Sequence, residues 1–337
     1  MGFGGAHIHA RTGLETPYLS DEFLSLVSFS VEESKRQGTL TWLYDEDRCP
    51  SGFAGGLVTK TKKYRQRLLL FTQKEQADIQ DRKQAIETSG KYLVCVYDVL
   101  LNATGELVAY KPILASDEAK GEKWFAYSIT PRESGKYNNQ TYLDTLSKEA
   151  VNEFVNITHE RYKKAVGKEF GKNIPAIFTD EPQFACFREF CNSLSGEDIT
   201  MPWTLNMEEG YFAKYNERIE EKIPELFWEK QDGTFSATKY RYHDFVCELF
   251  VSSYADNIAN WCEKNNVMLT GHLMDEDTLA MQTGTVGEAM RFYRSFQLPG
   301  IDMLCNEHNY ATAKQCQSVV HQYGKEPDNK FDYGIAA

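Results

Sequence analysis

The chain has 337 residues, of which 42% are hydrophobic and 26% are charged, and its formal net charge is -12. This composition is typical of a globular protein with enough apolar residues for a sizeable core. The negative charge disfavours phosphate backbones and anionic membrane surfaces, because like charges repel. We therefore expect no nucleic-acid partner and no membrane partner, whereas a neutral substrate such as a sugar is compatible with the charge.

The eight cysteines form no CxxC pair, and no Cys/His cluster has zinc-finger spacing. This pattern favours reduced, mostly buried thiols. The sequence shows neither a secretory leader nor an apolar run of membrane-spanning length. We therefore expect a cytoplasmic protein.

Strand and helix patterns alternate in the first 60 residues. Residues 5–11 form a short apolar run, and residues 21–36 carry apolar side chains near helical spacing, with Ser20 as N-cap. A second run, residues 40–44, ends in the acidic residues 45–47. Short, nearly continuous apolar runs are typical of parallel strands that are buried on both faces.

Residues 61–140 have a different pattern. Apolar runs predict strands at residues 67–71, 92–101, 106–113 and 123–129, with a hairpin turn at residues 102–105. We interpret this region as a β-rich insertion after an early strand of the main fold.

Strand and helix patterns alternate again after residue 140. Residues 146–170 and 240–264 are long amphipathic segments that predict helices. Further strands are predicted at residues 175–179, 267–271 and 300–304. Strands that alternate with helices predict an α/β fold.

Ionisable or hydrogen-bonding residues follow five of the predicted strands. They are His9 and Arg11, then Asp45, Glu46 and Asp47, then Asp180 and Glu181, then His272, Asp275 and Glu276, then Asn306, Glu307 and His308. Active sites of parallel α/β barrels lie at the carboxyl ends of the strands, so these residues predict one functional cleft. Glycoside hydrolysis needs two carboxyl groups, one of them held protonated, and several strand ends supply candidates.

Residues 42–56 read WLYDEDRCPSGFAGG. This run resembles the "WLYDE…PSGxAGG" signature of bacterial glycosidases related to α-L-rhamnosidases. Further strands and one helix of those proteins resemble residues 2–11, 178–182, 270–273, 300–304 and 314–325. The resemblance covers nearly the whole chain, and the first motif is specific.

The resemblance implies a (β/α)8 TIM barrel that hydrolyses O-glycosidic bonds. Many such barrels carry the acid/base glutamate at the end of the fourth strand, which is Glu181 here, with Asp180 orienting the substrate or Glu181. The residues implied to bind the sugar are His9, Arg11, Tyr44, Asp45, Glu46, His272, Glu276 and Glu307. Residues 306–308 depart from the pattern of the family.

The resemblance begins at the second barrel strand and ends after the sixth. It implies strands two and three in residues 1–60, the β-rich insertion in 61–140, strands four to six in 141–325, and an atypical tail in 326–337. The seventh strand, which would carry the second catalytic carboxylate, has no counterpart. We therefore expect an incomplete barrel from a truncated or frame-shifted glycosidase, whose missing strands are lost or come from another chain.

Two alternatives remain. A non-catalytic carbohydrate-binding remnant would share the cleft and bind sugar without turnover. A metal-dependent hydrolase would use His9, Asp45, His272 and Asp302, and the spacing His7-x-His9 is typical of a metal-binding strand. We expect no cofactor. The many carboxylates leave calcium open, although no ordered loop of Asp, Asn and Gly ligands occurs.

Overall fold

The computed structural model describes residues 2–11, 13–184, 198–302 and 310–323. Its strands are β1 (Gly5–Ile8), β2 (Leu40–Tyr44), β3 (Arg67–Thr72), β4 (Tyr92–Leu101), β5 (Leu107–Ile113), β6 (Glu122–Ile129), β7 (Ala176–Asp180), β8 (Ile199–Trp203), β9 (Met268–His272) and β10 (Leu298–Pro299). Its α-helices are α1 (Asp21–Gln37), α2 (Arg82–Thr88), α3 (Lys148–Ile157), α4 (His159–Val166), α5 (Met207–Tyr215), α6 (Ala237–Phe250), α7 (Asp256–Lys264), α8 (Leu279–Thr285), α9 (Ala289–Tyr293) and α10 (Tyr310–Gln322).

One sheet is parallel and has the strand order β1-β2-β7-β9-β10. Each strand lies beside the next parallel strand along the chain, so all carboxyl ends lie at one edge of the sheet. Helices separate these strands in the chain, which confirms the predicted mixed α/β class. The described strands form an open sheet, with β1 and β10 at its edges.

The second sheet is antiparallel and has the order β5-β4-β6-β3-β8. Four of its strands lie between β2 and β7 in the chain, as the strand patterns of residues 61–140 predict. The predicted hairpin joins β4 to β5, and the side-chain carbonyl of Asn102 accepts the backbone N–H groups of Thr104 and Glu106.

Strand β8 lies in the region that the sequence assigns to parallel strands and helices, yet it pairs with β3. It contains Pro202, which has no N–H to donate to a neighbouring strand. An edge strand tolerates proline, and β8 is at the edge of its sheet.

Local signals account for α1. The hydroxyl of Ser20 accepts the backbone N–H of Phe23, and Gly38 ends the helix with the left-handed φ of 69°. Residues Phe23, Val27 and Val31 form the buried face of this helix. The helix predicted at residues 21–36 is confirmed.

The predicted helix at residues 146–170 is divided into α3 and α4. The hydroxyl of Thr158 donates to the carbonyl of Phe154 at 2.6 Å, and the backbone of Thr158 departs from helical geometry with φ −97° and ψ −69°. A hydroxyl that bonds back to the preceding turn bends a helix. The next residue, His159, is thereby buried beneath the parallel sheet.

The two faces of the parallel sheet differ. Leu43, Ile177 and Leu269 on one face are fully buried in the main core. The other face carries Tyr44 and Phe178, whose rings stack with centroids 4.5 Å apart. This aromatic face leads to the carboxyl edge of the sheet. Within the described ranges, no helix combines the length and the apolar character needed to cross a membrane.

Candidate active site

The carboxyl edge of the parallel sheet gathers most of the polar residues that the sequence singles out. Asp180 at the end of β7 lies opposite His272 at the end of β9 in the strand register. The backbone N–H of Asp45 donates to the carbonyl of Phe178 at 3.0 Å, which keeps the loop after β2 beside β7. The next residue, Glu181, extends from the same edge.

One cluster at this edge comprises His9, Glu46 and Asp180. The imidazole Nε2 of His9 lies 3.0 Å from Oε1 of Glu46. Burial, followed by the nearby carboxylate of Asp180, raises the pKa of Glu46 to about 10. Burial, followed by the charge of Arg11, lowers the pKa of His9 to about 4. The contact between His9 and Glu46 is therefore a hydrogen bond between neutral groups at neutral pH.

Glu181 lies in the second cluster, with Cys49, Asp180, His272 and Asp302. The thiol of Cys49 donates to Oε2 of Glu181 at 2.8 Å. Nε2 of His272 lies 4.0 Å from Oε1 of Glu181 and 2.8 Å from Oδ1 of Asp180. Burial raises the pKa of Glu181, and the hydrogen bond from Cys49 opposes this rise. The negative charges of Asp180 and Asp302 also raise it.

The backbone of Glu181 has the left-handed φ of 48°. A non-glycine residue in a sparsely populated backbone region costs on the order of 1–3 kcal/mol, and such residues cluster at active sites. The N–H of Glu181 donates to the carbonyl of His272 at 3.1 Å, which helps to hold this conformation. This conformation is a second feature of Glu181 that does not depend on its charge, and other residues such as Ala54 and Asp275 share it.

Asp45 is placed differently from its neighbour Glu46. It is fully buried on the helix-facing side of the sheet, where its Oδ1 accepts the hydroxyl of Ser51 at 2.6 Å. Its Oδ2 lies 3.8 Å from Nε2 of His159. Burial raises the pKa of Asp45 to about 7. The sequence predicts that Asp45 binds sugar, but in the structure its carboxyl group points away from the cleft.

Tyr44 and Arg11 lie at the side of the cleft nearest β1. The ring of Tyr44 stacks on the imidazole of His9 with centroids 3.6 Å apart. Arg11 is exposed and lines a cavity of about 300 Å³ with Asp47 and Arg48. Both side chains therefore lie beside the strand-end clusters.

The remaining predicted sugar-binding residues are Glu276 and Glu307. Glu276 is buried, and its Oε2 accepts the hydroxyl of Tyr293 at 2.6 Å. Burial raises the pKa of Glu276 to about 8, with a smaller contribution from Glu181. Glu307 lies outside the described residues, as do Asn306, His308 and the predicted tail.

Among the residues that the structure describes, two groups of side chains have the spacing of a metal site. They are His9 with Glu46 and Asp180, and Glu181 with His272 and Asp302, and within each group the potential ligand atoms lie within 4.8 Å of one another. One imidazole with two carboxylates suits a transition metal better than calcium, which prefers oxygen ligands. The metal set predicted from the sequence is not brought together, because its Asp45 faces Ser51 and belongs to neither group.

Sequence reasoning missed Cys49 and Ser51. Both lie in the run at residues 42–56, whose resemblance to glycosidases was the available signal. The thiol of Cys49 contacts Glu181, and Ser51 bonds to the backbone of Asp180.

Comparison with solved structures finds a rhamnosidase from Novosphingobium sp. PP1Y, with a TM-score of 0.43 and 20% sequence identity. The match covers 67% of this chain and 21% of the rhamnosidase, so the chain spans about a fifth of that protein's length. This is a distant structural similarity. No protein-family model and no curated protein sequence matches the chain.

Proposed function

We propose that this chain is a glycoside hydrolase of the α-L-rhamnosidase type, with Glu181 as its general acid. The observation that carries the proposal is the setting of Glu181: a half-buried carboxyl group at the end of a parallel strand, whose pKa is raised by burial. A general acid must hold its proton near neutral pH and release it to the leaving oxygen. The resemblance of residues 42–56 to the rhamnosidase signature supports the substrate class.

The neighbours of Glu181 have distinct roles in this proposal. The thiol of Cys49 donates a hydrogen bond to Oε2 of Glu181, so Oε1 is the oxygen that protonates the glycosidic oxygen. The imidazole of His272 lies beside Oε1, with its Nε2 close to Oδ1 of Asp180. Asp302 raises the pKa of Glu181 by its negative charge.

Asp302 does not fit the role of catalytic base in an inverting pair. The ligand atoms of Glu181, His272 and Asp302 lie within 4.8 Å of one another. Inverting glycosidases separate the two carboxyl groups by roughly 6.5–9.5 Å to admit the attacking water. We therefore assign the second catalytic carboxylate of an inverting reaction to a residue other than Asp302.

The parallel sheet fits an arc of a (β/α)8 barrel, because its strands are adjacent in chain order and their polar ends meet at one edge. In this proposal the sugar binds over the aromatic face, beside Tyr44 and His9. Arg11 donates hydrogen bonds to its hydroxyl groups, and Glu46, which is itself buried, holds the imidazole of His9 at 3.0 Å. Asp45 is left out of this set because its carboxyl group is buried behind the sheet.

Replacement of the proposed acid tests this function. We expect Glu181→Gln to lower kcat for phenyl α-L-rhamnopyranoside about 10²- to 10⁴-fold, because proton donation by a positioned side chain contributes that much. Binding of L-rhamnose, measured by calorimetry, should stay close to wild type, because glutamine keeps the size of the side chain. The matched control is Glu149→Gln, which changes an exposed glutamate on α3.

Unchanged turnover in Glu181→Gln would remove Glu181 from the acid role. Binding of L-rhamnose by the wild-type chain without any turnover would favour the non-catalytic carbohydrate-binding alternative instead.

A further inference from the structure

Ser51 connects the loop after β2 to the end of β7. It is fully buried, and its backbone N–H donates to the carbonyl of Asp180 at 2.8 Å. Its hydroxyl oxygen accepts the backbone N–H of Asp180 at 2.7 Å. One serine thus satisfies both backbone groups of the residue that precedes Glu181.

Asp45 orients the hydroxyl of Ser51. A serine hydroxyl has a single proton, and the shorter of its two carboxyl contacts directs this proton to Oδ1 of Asp45 at 2.6 Å, whereas Oε2 of Glu46 lies at 3.3 Å. A lone pair of the hydroxyl oxygen is then free to accept the N–H of Asp180. The phenol of Tyr142 donates to the carbonyl of Ser51 at 2.5 Å and fixes the loop from the other side.

Asp45 directly follows the last residue of β2, and its carboxyl group is buried beside His159 of α4. Its neighbours Tyr44 and Glu46 instead contact His9. A buried carboxyl group without a cation is costly unless its hydrogen bonds are needed. Among the described residues, its nearest basic partner is His159, whose own pKa is lowered by burial to about 3.

We propose that Asp45 and Ser51 are positioning residues that lock the peptide of Asp180 and thereby hold Glu181 in its left-handed conformation. Neither side chain touches the sugar in this role. The carboxyl group of Asp45 acts as a hydrogen-bond acceptor, so its charge is not required. The catalytic consequence rests on the proposed function, whereas the locking of the peptide does not.

Four variants test this inference. Ser51→Ala and Asp45→Ala break the connection, whereas Ser51→Thr keeps the hydroxyl and Asp45→Asn keeps the carbonyl oxygen that accepts it. Hydrogen–deuterium exchange, followed by mass spectrometry of the peptide containing Asp180, measures the locking directly. We expect exchange at the Asp180 amide to quicken at least about tenfold in the two alanine variants, because a buried hydrogen bond is lost.

The two conservative variants should retain slow exchange. Ser51→Thr keeps the hydroxyl, so it separates loss of the hydrogen bond from a general effect of substitution at residue 51. Equal exchange at Asp180 in Ser51→Ala and wild type, or exchange in Asp45→Asn as fast as in Asp45→Ala, would overturn the inference.

Kinetics separate this inference from the proposed function. With phenyl α-L-rhamnopyranoside, the alanine variants should lose kcat about tenfold or more while KM stays unchanged, and Asp45→Asn should restore kcat. If the wild-type chain hydrolyses no rhamnoside but the exchange pattern is as expected, the proposed function fails and the locking role stands. If Asp45→Asn loses kcat as fully as Asp45→Ala, the charge is needed and the positioning role is wrong.

Discussion

In the antiparallel sheet region, Glu225 is buried among three donors, whereas Glu46 at the carboxyl edge of the parallel sheet is buried beside another carboxyl group. Glu225 accepts hydrogen bonds from Tyr110 and Ser236 and pairs with Lys230 at 3.0 Å. Burial alone would raise the pKa of Glu225, but these partners outweigh burial and lower it. Burial raises the pKa of Glu46 to about 10, and the charge of Asp180 adds to this rise.

Other charged groups in the two regions also differ in their hydrogen-bond partners. The guanidinium of Arg67 is buried in the antiparallel sheet, and it donates to the hydroxyl of Ser128 and to the carbonyl of Gly90, each at 2.8 Å. At the parallel edge, the side chain of Glu181 accepts a hydrogen bond from the thiol of Cys49, and its backbone has a left-handed φ. Buried charged groups need hydrogen-bond partners to offset the loss of water, and groups whose pKa is strongly shifted are candidates for functional sites.

Substitution of the two glutamates should give opposite results for stability. Glu225→Gln leaves an amide N–H₂ group facing donors, so we expect it to lower the free energy of unfolding by about 1–3 kcal/mol. Glu46→Gln replaces a carboxyl group that is neutral at pH 7 with a neutral amide, so stability should be retained or increased. Urea unfolding of both variants measures this contrast, and equal losses would contradict it.

The difference in stability between Glu46→Gln and wild type should increase as pH rises. Unfolding lets Glu46 ionise near its ordinary pKa of 4.5, whereas in the folded protein this pKa is about 10. Wild-type stability therefore decreases as pH rises between these values, by at most on the order of 1 kcal/mol per pH unit from this group. The advantage of Glu46→Gln over wild type should grow between pH 5 and pH 9.

Glu225 should show the opposite dependence. Its folded pKa is lowered, so its stabilising contribution is present above its ordinary pKa and is lost as pH falls through the folded value. The defect of Glu225→Gln should therefore shrink in acid. Thermal unfolding from about pH 9 down to about pH 2 measures both trends, because the folded pKa of Glu225 lies below its ordinary value. Parallel curves for the two variants over this range would contradict the account.

The smallest expected effect concerns Cys49. Its thiol donates to the carboxylate of Glu181 and lowers the pKa of that group, so Cys49→Ala should raise it. Because Glu181 must be protonated to act, the alkaline limb of the pH profile of kcat/KM should move upwards, by less than about one pH unit. Cys49→Ser, which keeps a donor, is the matched control. A downward shift in Cys49→Ala would contradict this role.

Local sequence signals predicted much of the fold. The apolar runs at β2, β7 and β9 and the cap at Ser20 are properties of neighbouring residues, and the structure confirms these elements. The pairing of β8 with β3 was missed, because it joins segments far apart in the sequence. Continuous apolar runs do not specify which sheet a strand joins.

The polar residues that follow the predicted strands meet at one edge of the sheet, where Asp180 lies opposite His272. Their role as a functional site stays a prediction. Asp45 and Glu46 are neighbours in the sequence, yet Asp45 lies beside His159 and Glu46 beside His9, a difference that depends on the folded arrangement. The contact between Cys49 and Glu181 joins residues 132 positions apart, so it depends on the folded arrangement of β2 and β7.

The most direct test of the central claim, that Glu181 is the general acid, is the dependence of its variant on the leaving group. Kinetics of wild type and Glu181→Gln would be compared on phenyl and 2,4-dinitrophenyl α-L-rhamnopyranosides. Dinitrophenolate leaves without protonation, so the account predicts a loss of about 10²- to 10⁴-fold for the phenyl substrate and little loss for the activated one. Equal losses on both substrates would contradict the assignment of Glu181 as proton donor.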